Sequence, residues 1–461
     1  MRAKITKIGV TNDKISARGG VSLYLRYIHN IKLFGLISTT LPSLLLVSSK
    51  GLQLQQFLKQ MSAYFIDGTD MSISGFDRKK DDKGYAALLE NQTNEMASSH
   101  QIKRFFIKFI LIRDGIYNKI LNELFIWRLL IENPKIIVLG TDTMVLGNDS
   151  SKKREGNEPA YKKKKGFQPL HICWESFLVD VLFRKGSAHS NHGTDYTDRV
   201  KAVVKLIRKR YSQEVPIIIC ADSGFAGQKA FDCFDEELFI HFITTSRMYS
   251  DVKKYAESAK PEAYYEFTND KAIWRYFEFG NKRETWKKFR RSIFTTLSCN
   301  EQGQYLMGFD KTGTLIYTNI GNNKKADERL LVAGGKHYFE AKTIIQLSHK
   351  RGADELIHRS IKELATKEQL PFKKFGMNRA YYFLLVISHF IFEAYKRDVT
   401  VDVIPVNAYP DTFRRRLVDF ATKITSGGGY VILNVTRVIY ETFKIEALWQ
   451  KCQSPPVIQF G

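Results

Sequence analysis

The chain has 461 residues, with 71 Lys or Arg against 48 Asp or Glu, a formal net charge of +23. That length holds two or three domains, since one core seldom grows past ~250–300 residues. Hydrophobic residues at 44% exclude wholesale disorder. So basic a balance points to a polyanionic partner, nucleic acid first. The cations also cluster, at Lys162 to Lys165, at Lys287, Lys288, Arg290 and Arg291, and at Arg414 to Arg416. No apolar run reaches the ~18–20 residues of a membrane span. The start, Met1-Arg-Ala-Lys-Ile-Thr, lacks the apolar core of a secretory signal. Cys173, Cys220, Cys233, Cys299 and Cys452 are scattered, with no Cys-x-x-Cys pair. They read as core thiols in a reducing cytosol, not as a zinc ribbon or disulfide frame.

In chain order, residues 1–130 read as largely helical. Leu52–Tyr64 and Gln101–Ile112 carry apolar residues at spacings of three and four. Ser98 suits the cap of the second helix, and Asp67–Gly84 reads as a loop between the two. The period then changes. Lys135–Leu139 is a β-branched run of buried-strand type, and Lys-rich Gly147–Gly166 reads as a loop. Gln168–Phe183 suits two strands turning at Glu175-Ser176, or one long bent strand. Asp195–Tyr211 predicts a helix with Val200, Val203, Val204 and Ile207 on one face. Val215–Cys220 is a second buried strand, followed by a helix near Gly227–Cys233 and a strand at Leu238–Thr244.

Residues 250–336 break the pattern. Short alternating runs at Tyr264–Phe267, Ile273–Phe279, Arg291–Leu297 and Leu315–Asn319, separated by turn residues, predict an all-β insertion. Helix resumes at residues 338–367 and 378–397. The tail reads as helix Asp411–Ile424, a triple-glycine turn, strand Tyr430–Val435 and helix Arg437–Gln450. This gives an α/β protein in five parts: residues 1–130, 131–249, 250–336, 337–400 and 401–461.

Three acids stand out. Asp142 follows the first buried strand in Val138-Leu-Gly-Thr-Asp-Thr-Met-Val145. Asp222 ends the second in Ile217-Ile-Ile-Cys-Ala-Asp-Ser-Gly-Phe225. Ligands gather at the carboxyl ends of sheet strands, although Asp before Ser-Gly equally suits a helix cap. Glu355 lies in Arg351-Gly-Ala-Asp-Glu-Leu-Ile-His-Arg-Ser-Ile-Lys-Glu363, where Arg351, Glu355 and Lys362 share one helical face. A solvated row of ion pairs has the same spacing. His189 and His192 suit a turn, and His171 and His389, in apolar surroundings, read as satisfied core residues.

The pattern resembles the DDE transposases of bacterial insertion sequences, in the branch with a β insertion before the catalytic Glu. Four stretches carry the resemblance: the Asp142 strand; Tyr161-Lys-Lys-Lys-Lys-Gly-Phe-Gln-Pro-Leu170 with Phe183-Arg-Lys-Gly-Ser-Ala-His-Ser-Asn-His192; Ala221-Asp-Ser-Gly-Phe225; and the Arg351, Glu355, Lys362 helix. The family's Tyr in that helix is Ser348 here, a departure that touches a DNA-backbone contact and not the acids.

The resemblance implies a ribonuclease-H-like mixed sheet, with a helical N-terminal region for DNA binding and assembly and a helical C-terminal extension. It implies Asp142, Asp222 and Glu355 as catalytic metal ligands for two Mg²⁺ ions, with Mn²⁺ as substitute. Paired hard cations on carboxylates suit phosphodiester transfer. Arg351, Lys362 and Lys162, Lys163, Lys164 and Lys165 would meet DNA phosphates, though the four lysines equally suit a solvated loop. Trp274 or Trp286 would stack a flipped base, though a Trp in a small β domain is usually core.

The implied activity is cut-and-paste transposition. Its partners would be double-stranded DNA with terminal inverted repeats and target DNA, bound by a homodimer in the synaptic complex, in the bacterial cytoplasm at the nucleoid. Two alternatives are a DNA-binding derivative without catalysis and a nuclease on the same core.

Overall fold

A computed structural model describes residues 5–41, 51–70, 72–149, 153–160, 164–190, 192–269, 271–306, 313–350, 353–365 and 369–459. Its contacts divide the chain into two units, Met1–Ile120 with Ser360–Gly461, and Leu121–Arg359.

The first unit is mostly helical, as composition and periodicity predict. Its centre is helix Phe375–Tyr395, buried along nearly its whole length. Helices Gly20–Asn30, Leu54–Asp67 and Ser99–Ile107 pack against it. Aromatic rings fill the joints: Phe106 lies 4.9 Å from Phe372, and Tyr117 stacks on Phe383 at 4.6 Å. Ser98 caps its helix by accepting from the Gln101 N–H at 3.2 Å, while Gln101 Oε1 accepts from the Ser98 N–H at 2.8 Å. This reciprocal pair satisfies two orphan amides. The stretch read as the loop Asp67–Gly84 holds a short helix, Gly75–Lys79. It is anchored by Asp67, whose buried carboxylate meets Arg18 and Lys79.

The tail departs from its reading. Helix stops at Phe413, one wider turn follows through Val418, and Thr422–Gly427 is a strand. It pairs with Lys14–Ser16 on one side and Tyr430–Val435 on the other. The cause is long-range. Arg414 is drawn inward to donate to the carbonyls of Phe65 and Ile66 at 2.7 and 2.9 Å. Thr422 pairs opposite Ser16. The Gly427-Gly428-Gly429 turn is as expected, with Gly428 and Gly429 at φ of 60° and 82°, where a side chain would be strained.

The second unit is built on a nine-stranded mixed sheet. In chain order its strands are β1 (Ile137–Thr143), β2 (Leu170–Trp174), β3 (Phe177–Leu182), β4 (Ile217–Ala221), β5 (His241–Ser246), β6 (Tyr265–Asn269), β7 (Ala272–Asn281), β8 (Arg290–Cys299) and β9 (Thr314–Thr318). They lie in the order β6-β7-β8-β9-β5-β4-β1-β2-β3. β1, β4 and β5 run parallel, and all other pairs are antiparallel. β2 and β3 turn at Glu175, in left-handed backbone at φ 52°, where the sequence places the turn.

All five residues of β4 are buried, as in a strand covered on both faces. Ile218 and Cys220 join Ile243, Ile293 and Ile316 in a core closed by Ile344 and Ile345 of helix Ala341–Lys350. Helix Asp195–Arg210 packs its valine face on β2 and β3. Two expectations change here. The Lys-rich stretch Gly147–Gly166 is no plain loop: Leu146–Gly147, Glu158–Pro159 and Lys165–Phe167 form a small sheet. Residues 250–336 carry strands where expected, but the stretch is not all β: helix Ser250–Ser258 precedes the strands and helix Lys324–Val332 follows them. β9 then pairs with β5, so these strands extend the main sheet. Alternation alone cannot say which edge a strand will join.

All five cysteines are free and buried. Among the described residues no helix is long and apolar enough to cross a membrane.

Candidate functional site

β1 and β4 run parallel in a register that sets Thr141 beside Ala221. Asp142 and Asp222 each follow by one residue. The two carboxylates therefore leave neighbouring strands at the same end, on strands about 4.8 Å apart. Asp142 is the penultimate residue of β1, not a residue beyond it, because β1 runs on to pair Asp142 with His171 of β2. Its Oδ1 accepts from the Thr143 N–H at 2.7 Å.

Asp222 also serves the turn that follows it. Its Oδ1 accepts from the Gly224 N–H at 2.8 Å, and its carbonyl accepts from Thr244 Oγ1 at 3.1 Å. Phe225, 1% exposed, then seats against Tyr196 at 4.6 Å. Burial pushes the Tyr196 phenol far above its usual range, so it stays a neutral wall behind the turn. Asp222 does not cap the next helix, Gln228–Asp232, which starts after Gly227 with no side-chain cap; its bond to Gly224 closes the turn and fixes the carboxylate in place.

Helix Ala353–Leu364 supplies a third group. His358 turns its Nδ1 to within 4.0 Å of Asp142 Oδ2, and its Nε2 lies 3.3 Å from His171 Nδ1. In the sequence His358 is one residue of the Arg351–Glu363 motif, with no pattern of its own to mark it. The available signal was its spacing, three residues after Glu355, which on a helix is the same face. His171 is fully buried, as expected of a core residue, yet its ring faces this cluster. His389 is likewise buried, 3.1 Å from Ser360 Oγ. His189 and His192 meet edge to face at 5.4 Å.

Glu355 lies in the same helix, one turn before His358. The side chain of Glu355 lies outside the described residues, as do Arg351, Lys162 and Lys163. Lys362 is half-buried on that helix, and Lys164 and Lys165 are exposed. Among the described residues no group of three His, Cys, Asp or Glu forms a ready metal cage. Asp142 and Asp222 nevertheless fit a hard divalent cation in kind, since both give carboxylate oxygens at one end of the sheet.

The two tryptophans differ. Trp286 is 6% exposed, edge-on to Phe231 at 5.2 Å and to Tyr317 at 4.7 Å. Trp274 is half-buried on β7, with its ring 4.3 Å from His349. Burial lowers the His349 pKa and favours the neutral ring there. The cations around them are engaged: Arg275 with Glu266 at 2.6 Å, Lys287 with Asp232 at 2.7 Å, Lys288 with Asp235 at 3.1 Å. Arg290 is buried against the same Asp235.

Residues 7–454 match the family described as "Transposase DDE domain group 1". No curated protein sequence matches the chain. Among solved structures it is similar to a piggyBac transposase in a cryo-EM synaptic complex with hairpin DNA, at 10% identity and a TM-score of 0.30 over 81% of each chain.

Proposed function

The chain belongs to the transposase DDE domain group 1 family, and from that premise we propose that it is a DNA transposase acting by cut-and-paste at the ends of an insertion sequence, with Asp142, Asp222 and Glu355 as its catalytic carboxylates. The observation that carries this reading is the parallel register of β1 and β4, which sets two acids 80 residues apart (222 − 142) at adjoining strand ends. The strand order β3-β2-β1-β4-β5, with β2 antiparallel to β1 and β4 and β5 parallel to it, supports a ribonuclease-H-like core.

Divalent cations, two Mg²⁺ or Mn²⁺ in this proposal, would supply an activated water or 3′-hydroxyl and stabilise the leaving oxygen. The chain's own residues do the rest. Asp142, rigid within β1, and Asp222, held by its turn, orient the carboxylates so that little rearrangement is needed at the moment of reaction. Lys362 and Arg351 would hold the phosphate backbone beside them, and Lys162 to Lys165 would extend that track. Trp274 is the better placed of the two tryptophans for a base to stack on. Terminal inverted repeats, target DNA and a homodimer at synapsis complete the proposal, in a bacterial cytoplasm.

The test is incubation of the purified protein with labelled DNA carrying its element's end and Mg²⁺, beside Asp222→Ala. Metal-dependent cleavage at the end, absent in the variant, is expected. Salt-sensitive binding without cleavage across Mg²⁺ and Mn²⁺ conditions would overturn the enzyme reading and leave a DNA-binding derivative.

A further inference from the structure

His358 belongs to none of the roles above, yet it sits against Asp142. Asp142 and His171 face each other across the antiparallel β1–β2 pair, so both side chains rise from the same face of the sheet. His358 comes down on them from helix Ala353–Leu364, its ring 5.3 Å from that of His171. The two rings meet through His358 Nε2 and His171 Nδ1 at 3.3 Å. The other nitrogen, Nδ1, is turned to Asp142 Oδ2 at 4.0 Å.

We propose that His358 is a nitrogen ligand beside Asp142 at the divalent cation, with His171 as the partner that fixes its ring. The inference deepens the proposed function and rests on it.

Three features carry it. First, two donors each about 2.0–2.2 Å from one cation are about 3 Å apart when adjacent in its shell and about 4 Å apart when opposite, so the 4.0 Å between Nδ1 and Oδ2 is within the reach of one ion. Second, an imidazole that ligates through one nitrogen usually gives its other N–H to a fixed acceptor, which sets tautomer and orientation. In the tautomer that donates Nε2–H to His171 Nδ1, His358 presents the Nδ1 lone pair toward Asp142. His171 can hold that place because it is fully buried and part of β2. Third, Glu355-Leu-Ile-His358 is a Glu-x-x-His spacing on a helix, and residues three apart there can serve one ion.

The chemical consequence is a mixed oxygen and nitrogen site. Imidazole suits transition metals better than Mg²⁺, so the site should tolerate Mn²⁺ and Co²⁺ and hold them more tightly than an all-carboxylate site would.

The experiment is Mn²⁺ binding to the full chain, read by calorimetry and by pulsed electron paramagnetic resonance on protein labelled with ¹⁵N-histidine. Histidine-nitrogen coupling to bound Mn²⁺ is expected in the unaltered chain. It should vanish in His358→Ala with Mn²⁺ affinity down about tenfold or more, and His171→Ala should weaken affinity about 10–100-fold. If His358→Ala fails to fold, the labelled unaltered chain still decides. Mn²⁺ bound in an Asp142-dependent way without histidine coupling overturns the role of His358 and leaves the proposed function standing. Mn²⁺ binding unchanged in Asp142→Asn overturns both.

Discussion

In the parallel half of the sheet β4 is buried at all five positions, whereas β6, at the far antiparallel edge, is exposed or half-buried along its whole length. Both belong to one hydrogen-bonded sheet. β4 is sealed on both faces, and β1 and β4 carry the acids Asp142 and Asp222 at their carboxyl ends. The outer edge of the antiparallel wing is rich in rings and open to solvent, with Tyr265 65% exposed. The contrast separates two tasks: holding carboxylates to a fraction of an ångström, and offering a surface. Precision calls for burial on both faces, and surface calls for one face left bare.

The largest effect should come from the acids. Asp222→Ala should cost several kcal/mol of barrier, roughly a thousandfold or more in cleavage rate, with the melting temperature nearly unchanged. Tyr265→Ala should leave cleavage within about twofold, as exposed substitutions usually do. Equal losses from both would erase the division between core and wing.

Trp286→Ala, at a buried position edge-on to Phe231 and Tyr317, should destabilise the chain by about 3–5 kcal/mol in chemical denaturation. A loss within ~0.5 kcal/mol would show that the wing's packing contributes little. Trp274→Ala should sharpen the same contrast. Stability should change modestly, while affinity for single-stranded DNA falls by about 1–3 kcal/mol. Unchanged affinity in a titration would remove Trp274 from the DNA surface.

The smallest effect belongs to the exposed lysines on the small sheet. Lys164→Ala combined with Lys165→Ala should lower the salt dependence of DNA binding by about two in log–log slope, near 0.9 per phosphate contact. An unchanged slope would make them solvated bystanders.

Local chemistry determined much of this molecule. β-branched runs set β1, β4 and β5, Glu175 made its turn, and the valine face of Asp195–Arg210 made its helix. Asp142 and Asp222 were legible as acids ending apolar runs. Each of these signals is a periodicity or a turn preference read over a few residues. Only the tertiary structure decided that β1 and β4 pair in parallel register. It alone attached the β wing to β5, made a strand at Thr422 opposite Ser16, and brought His171 to His358 across 187 residues. The reason is physical. Which strand edge a segment joins, and in what register, depends on the burial of faces assembled from distant parts of the chain, and no local window contains that information.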